Sequence, residues 1–258
     1  MNTISIFTAA FVLFVGMAFC LTACRSSETP VSDVRETGSK VSNELSPNPV
    51  PFAWDDVLNQ YEKMTSYTAL YEKEEKDISK GEKQIIRLSF RKPFDIRMDW
   101  LGDKGKISQS AVYQEGKNDG KVLGKANSFL GSLAGVIKVN PTDPIALQDS
   151  THPITEAGLG NLIKHLTGDA KRDDTKVVFL SSEKNDEGRE AYKIEMDSSA
   201  GHHLTGSRGA RKALVWIDKE LLLPIRVEVY GEGEVLLERH VFRELKTNIK
   251  LTDKTFEL

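Results

Sequence analysis

Cys24 carries the most narrowly specified chemistry in the chain. It follows the small-residue stretch Leu21-Thr22-Ala23 and an apolar run from Ile6 to Ala23, with no charged residue before Arg25. That order suits an export signal ending near the cysteine. Cys20 sits behind Phe19, a poor cleavage position, and is expected to leave with the leader. The other candidate groups specify less. His152 precedes Pro153, which biases it toward an extended backbone at a helix start. Its ring is expected to bond a neighbouring loop rather than to catalyse. His202 and His203 are adjacent, so their side chains diverge, and no acidic or cysteine cluster lies nearby to complete a metal site. Gly116 to Lys121 and Gly120 to Lys125 lack the spacing and the Ser or Thr of a phosphate loop. Gly206-Ser207-Arg208-Gly209 lacks the preceding apolar strand of a nucleophile elbow. These readings imply no cofactor, no metal and no enzyme.

The tetrad Leu21-Thr22-Ala23-Cys24 resembles the lipobox of bacterial lipoproteins. The expected organisation is a signal peptide over 1–23, a lipidated Cys24 with a flexible tether over 24–51, and one domain over 52–258. The alternative for the leader is an uncleaved anchor helix, since the run approaches the roughly 18–20 apolar residues that span a bilayer. Both readings hold the chain at a membrane outside the cytoplasm. Several acyl chains at about 0.8 kcal/mol per buried methylene exceed the marginal hold of one. With Cys20 removed and Cys24 modified, no internal disulfide forms, and stability must come from a core. The chain has 258 residues, 35 basic against 38 acidic, for a net charge of −3 and no long basic run, which argues against nucleic acid as a partner.

From Arg25 to Pro51 the composition is polar and proline-punctuated, that of a tether. Trp54, Val57, Leu58, Tyr61 and Met64 then fall on one helical face, with Asp55 and Asp56 in the first turn. Strands are expected over 67–77, 84–90, 94–101, 107–114 and 121–126, and again over 176–182, 191–197, 213–218, 225–230 and 234–243. In the third, Phe94, Ile96, Met98 and Trp100 alternate with Asp95, Arg97 and Asp99, an apolar row against a charged one. Ala213-Leu214-Val215-Trp216-Ile217 is apolar on both faces, so it is expected to lie between sheet core and a helix. A second helix is signalled by Thr151, Pro153 and Glu156 at its start, then Leu159, Leu162, Ile163 and Leu166, then Gly168. The stretch 129–137 is apolar and glycine-broken without a clean period. It reads equally as core or as a cavity mouth.

The run His152-Pro153-Ile154-Thr155-Glu156-Ala157-Gly158-Leu159, with Arg91-Lys92-Pro93-Phe94 to Trp100-Leu101 upstream, resembles the bacterial domain-of-unknown-function family 1571. Val215-Trp216-Ile217-Asp218, Leu223-Pro224, Arg226 to Tyr230 and Phe242-Arg243-Glu244-Leu245-Lys246 followed by Asn248 are similar to the end of that family and of outer-membrane lipoprotein-sorting proteins. The resemblance implies an α+β, mainly β fold, in which about ten antiparallel strands form a strongly curved sheet, a half-open barrel, with two or three helices over its concave face. It also implies an apolar cavity, which in the sorting relatives shelters acyl chains. The expected function is a membrane-anchored envelope lipoprotein that binds a lipid or acylated partner, with Trp100, Phe129, Leu130, Leu133, Val136, Ile137 and Trp216 at the ligand. The alternative is a scaffolding lipoprotein with a filled core. Arg25 after the lipidated cysteine, rather than Asp, points to the outer membrane facing the periplasm.

Overall fold

The computed structural model describes residues 49–76, 82–127, 135–148, 150–198 and 204–258. Eleven strands form one antiparallel sheet. A first run comprises β1 (Ser66–Glu75), β2 (Gln84–Arg91), β3 (Asp95–Leu101), β4 (Ile107–Gln114), β5 (Val122–Ala126) and β6 (Ile137–Val139). A second comprises β7 (Thr175–Lys184), β8 (Glu190–Ser198), β9 (Lys212–Asp218), β10 (Pro224–Tyr230) and β11 (Leu236–Thr247). Each run is a meander of neighbours, as short turns between alternating segments require. They are joined where β11 returns to pair with β1, giving the order β6-β5-β4-β3-β2-β1-β11-β10-β9-β8-β7. The sheet is strongly curved and its two end strands do not meet, so the barrel is half open.

Two α-helices cover the concave face, α1 (Trp54–Lys63) and α2 (Leu159–Ala170). Val57 and Tyr61 of α1 and Leu159, Ile163 and Leu166 of α2 are buried with Tyr67, Leu88, Phe90, Ile96, Ile194, Val215 and Phe242 in one core. Each such side chain contributes about 1.5–3 kcal/mol as an upper bound. The ammonium of Lys92 closes the end of α1, donating to the Tyr61 and Glu62 carbonyls at 2.9 and 2.8 Å. The α2 start is set from the sheet, for the Tyr67 hydroxyl accepts the Leu159 N–H at 3.0 Å. Gly158 just before it has φ +93°, and a Cβ there would stand 2.5 Å from the same hydroxyl.

Two expectations, on the start of α2 and on the cover of β9, are corrected by this arrangement, and the charged face of β3 gains a definite setting. The signals at Thr151, Pro153 and Glu156 do not open the helix. They form a strap with one 3₁₀ turn at Ile154–Glu156, because Gly158 breaks the backbone before α2 begins. The charged row of β3 is not open to water. Asp95 and Asp99 are buried, paired with Arg91 and Arg97, beneath the C-terminal segment, whose Leu251, Thr255 and Glu257 carbonyls these arginines also engage. On β9, the second face is covered by side chains rather than a helix. Trp216 lies under the Arg226 guanidinium at 4.5 Å and the Lys193 ammonium at 5.1 Å.

Candidate ligand cavity

Strand alternation decides which side chains line the concave face. In β1 these are Tyr71, Lys73 and Glu75; in β11, whose register sets Tyr71 opposite Phe242, Lys73 opposite His240 and Glu75 opposite Glu238, they are those three partners. Ile86, Met98 and Trp100 continue the wall on β2 and β3, and Val122, Ile137 and Val139 on β5 and β6. The strap, from Ile145 to Gly158, and the first turns of α2 form the opposite side. Between them lies a mainly apolar cavity of about 300 Å³, at the small end of ligand sites.

One end of this cavity is polar. The Tyr71 hydroxyl is hydrogen-bonded to His240 Nδ1 at 2.7 Å. Burial, then the charges of Glu75 and Glu238, pushes the phenol well above its ordinary value, so it stays protonated. On the other side of the ring, His240 Nε2 donates to Glu238 Oε2 at 3.0 Å. The other oxygen, Oε1, lies 3.6 Å from His152 Nε2, and His152 Nδ1 lies 3.7 Å from Glu156 Oε2. Both ring nitrogens of His152 thus face carboxylates, which favours the imidazolium. Its pKa is raised, first by the Glu238 contact, with burial opposing and the charges of Glu75 and Glu156 adding. For Glu238, burial alone would raise the pKa. The contacts with His152, His240 and Ser207 outweigh it and hold the carboxyl well below the usual range.

Glu75 clasps the strap to the sheet. Its Oε2 accepts from the Thr151 N–H at 2.8 Å and the Thr151 hydroxyl at 3.2 Å, and Oε1 meets Ser150 Oγ at 3.4 Å and the Lys73 ammonium at 3.3 Å. Like charges directly opposite on paired strands repel. Glu75 and Glu238 occupy such a pair, and each is compensated by donors that come largely from the strap and from the neighbouring Lys73 and His240.

Of the ligand residues expected from sequence, Trp100 and Ile137 line the cavity, and Trp100 donates to Gln84 Oε1 at 3.1 Å. Val136, 44 % exposed, stands beside Ile137. Phe129, Leu130 and Leu133 lie outside the described residues, as do Cys24 and the His202-His203 pair. Trp216 is not brought to this site. It borders a separate charged depression with Glu183, Arg226 and Arg239 and donates to Glu183 at 2.9 Å. Sequence reasoning missed Tyr71, Lys73, Glu75, Glu238 and His240. The alternation Glu238, His240, Phe242 was readable, but which strand lies beside it was not. Among the described residues no group of His, Cys, Asp and Glu is arranged to hold a metal ion.

A family model described as "Protein of unknown function (DUF1571)" matches residues 64–258. A search of curated proteins finds no match. Among solved structures, that of MucB is 16 % identical, with a TM-score of 0.46, covering 80 % of this chain and 61 % of that one. This chain therefore spans about three fifths of the length of MucB. An uncharacterized conserved protein from Thermus thermophilus is 14 % identical, with a TM-score of 0.45 and coverage of 78 % and 91 %. A putative outer membrane lipoprotein-sorting protein domain from Vibrio parahaemolyticus is 12 % identical, with a TM-score of 0.35 and coverage of 80 % and 96 %. These identities are too low to transfer any residue role.

Proposed function

We propose that this chain, which belongs to the DUF1571 family, is an envelope lipoprotein held to a membrane by acyl chains on Cys24 and binding a lipid or acylated partner between its sheet and strap. The observation that carries the reading is the mainly apolar cavity of about 300 Å³ with a single polar end. Apolar surface of this kind is maintained for a ligand rather than for stability, since a filled core packs at higher density. A scaffolding lipoprotein needs no such space. In this reading Trp100 and Ile137 touch the chain of the ligand, with Val136 next to Ile137. The leader is removed, residues 24–51 give reach, and Arg25 directs the protein to the outer membrane facing the periplasm.

Binding is favoured over catalysis by the hydrogen-bond order. Tyr71, His240 and Glu238 satisfy one another, and the phenol that heads the chain is held protonated by burial. No activated nucleophile results. The test is to isolate the full chain from membranes, extract it with organic solvent and search the extract by mass spectrometry, while titrating the delipidated protein with the neutral fluorophore N-phenyl-1-naphthylamine. A stoichiometric acyl species and saturable fluorophore uptake are expected. Absence of both would sink the reading.

A further inference from the structure

We infer that the polar end of the cavity is a head-group site for a neutral, hydroxyl-bearing single-chain amphiphile of the monoacylglycerol type, selected against fatty-acid anions. The inference deepens the cavity reading and rests on it.

Charge is the first argument. Three carboxylates, those of Glu75, Glu156 and Glu238, face this end against the Lys73 ammonium and the His152 ring. Counting Lys73 and a protonated His152, the carboxylates outnumber these cations three to two. His240 and His165 also border the cavity, from β11 and α2. Lys125 is on β5, separated from β1 by β4, β3 and β2. An entering carboxylate therefore meets like charge at a partly buried site, where repulsion is less screened than in open water.

Hydrogen-bond geometry is the second. Glu75 is fully engaged by Thr151, Ser150 and Lys73, with four contacts between 2.8 and 3.4 Å. The Glu238, His152 and Glu156 series is looser. Its two gaps of 3.6 and 3.7 Å exceed hydrogen-bond length, although donor faces acceptor across each. A hydroxyl oxygen placed beside the first gap, about 2.8 Å from both atoms, donates to Glu238 and accepts from the His152 N–H. A carboxylate head has no hydrogen to donate, and an ammonium has no lone pair to accept. Only a hydroxyl, or a group that donates and accepts as it does, completes both sides. Beside this point Tyr71, Phe242, Met98 and Trp100 begin the apolar wall, so the hydrocarbon has a continuous path away from the head.

The test is displacement of N-phenyl-1-naphthylamine from the delipidated full chain at pH 7.5 by monolauroylglycerol, laurate and dodecylamine, each below its micellar concentration. Monolauroylglycerol is expected to displace the fluorophore at concentrations about tenfold lower than laurate, the scale of one hydrogen bond plus one avoided repulsion. Glu238→Gln should cut that ratio to about threefold or less by admitting laurate. Glu156→Gln changes a half-exposed residue and should narrow the ratio in the same direction, which keeps the test intact if the buried variant fails to fold. Laurate or dodecylamine binding as well as monolauroylglycerol overturns the inference, as does a ratio unmoved in both variants. If the fluorophore binds but no amphiphile displaces it, the head-group site falls and the cavity reading stands. If the fluorophore does not bind and no lipid is extracted, both fall.

Discussion

The contact between Tyr67 and the glycine before α2 can be broken from either side, and the two losses should not add. Gly158→Ala forces a side chain into φ +93°, a region open almost only to glycine, at about 1–3 kcal/mol. It also sets a methyl carbon 2.5 Å from the Tyr67 hydroxyl, an overlap costing about 1–3 kcal/mol more. Tyr67→Phe keeps the ring and removes the acceptor of the buried Leu159 N–H, costing about 1–3 kcal/mol. In the double variant the hydroxyl is gone, so the overlap vanishes while the backbone strain and the orphaned N–H remain. The sum of the single losses should exceed the double loss by at least about 1 kcal/mol. Urea unfolding of the four proteins, followed by far-UV circular dichroism, measures this directly. At about 2–4 °C per kcal/mol for a domain of this size, thermal midpoints should show the same order. Because α2 carries Leu162 and His165 to the cavity, Gly158→Ala should also weaken fluorophore binding, and Tyr67→Phe should restore part of it. Additive losses, within about 0.5 kcal/mol, would refute the claim that the hydroxyl positions this helix.

Three further outcomes follow from the same geometry and a fourth from the proposed lipidation. The His152 pKa is raised in the folded state, so its contribution is full below the unfolded value of about 6.5 and fades as pH rises through the folded value; the gap in urea midpoint between the wild type and His152→Gln should shrink from pH 5.5 to pH 8.5, and a widening gap would count against the ion pair. Ala111→Trp, which projects into the cavity from β4, should abolish uptake of N-phenyl-1-naphthylamine while leaving the circular dichroism spectrum unchanged; undiminished uptake would locate the ligand elsewhere. Glu238→Leu takes a carboxylate partner from both His152 and His240 and should cost about 3–5 kcal/mol, whereas replacing Tyr71 by Phe and Glu238, His240 and His152 by Leu together removes the phenol, both imidazoles and the carboxylate at once and should cost less. Metabolic labelling with a palmitate analogue should mark the wild type and not Cys24→Ala, and a labelled variant would remove the lipobox from the account.

Alternation was legible because each strand states it alone. Ile107–Gln114 emerges with the expected bounds, and the Phe94 to Trp100 series puts Ile96, Met98 and Trp100 toward core and cavity as its period requires. Local capping signals were less informative. Pro153 and Glu156 have the chemistry of a helix start, yet the deciding features are the Gly158 backbone and the Tyr67 hydroxyl, the latter about ninety residues away. The binding site was nearly silent for a related reason. Tyr71 and His240 are separated by 169 positions, and their meeting is fixed by the β1 and β11 register. A single sequence reports each strand's faces but not its neighbour. His152 was noticed as a residue bonding a nearby loop, whereas its partners Glu238 and Glu75 belong to the sheet and Glu156 to its own strap.

That placement bears on why an apolar concavity keeps charged groups at all. Hydrocarbon would cover the inner face of β1 and β11 at less desolvation cost than Glu75 and Glu238, and buried ion pairs are poor sources of stability. A core alone gives no reason to retain them. Their positions give one, because each glutamate holds part of the strap, and the strap is the cavity wall opposite the sheet. Directional bonds fix that wall in one register, which apolar contacts of similar area do not. The Glu75 grip is short and saturated, the Glu238 grip long and incomplete, so the strap is firmly seated at Ser150 and Thr151 and open to a bridging hydroxyl between His152 and Glu238. A lid fixed at one point and unsatisfied at the next can hold its shape without ligand and still gain hydrogen bonds when an amphiphile's head arrives.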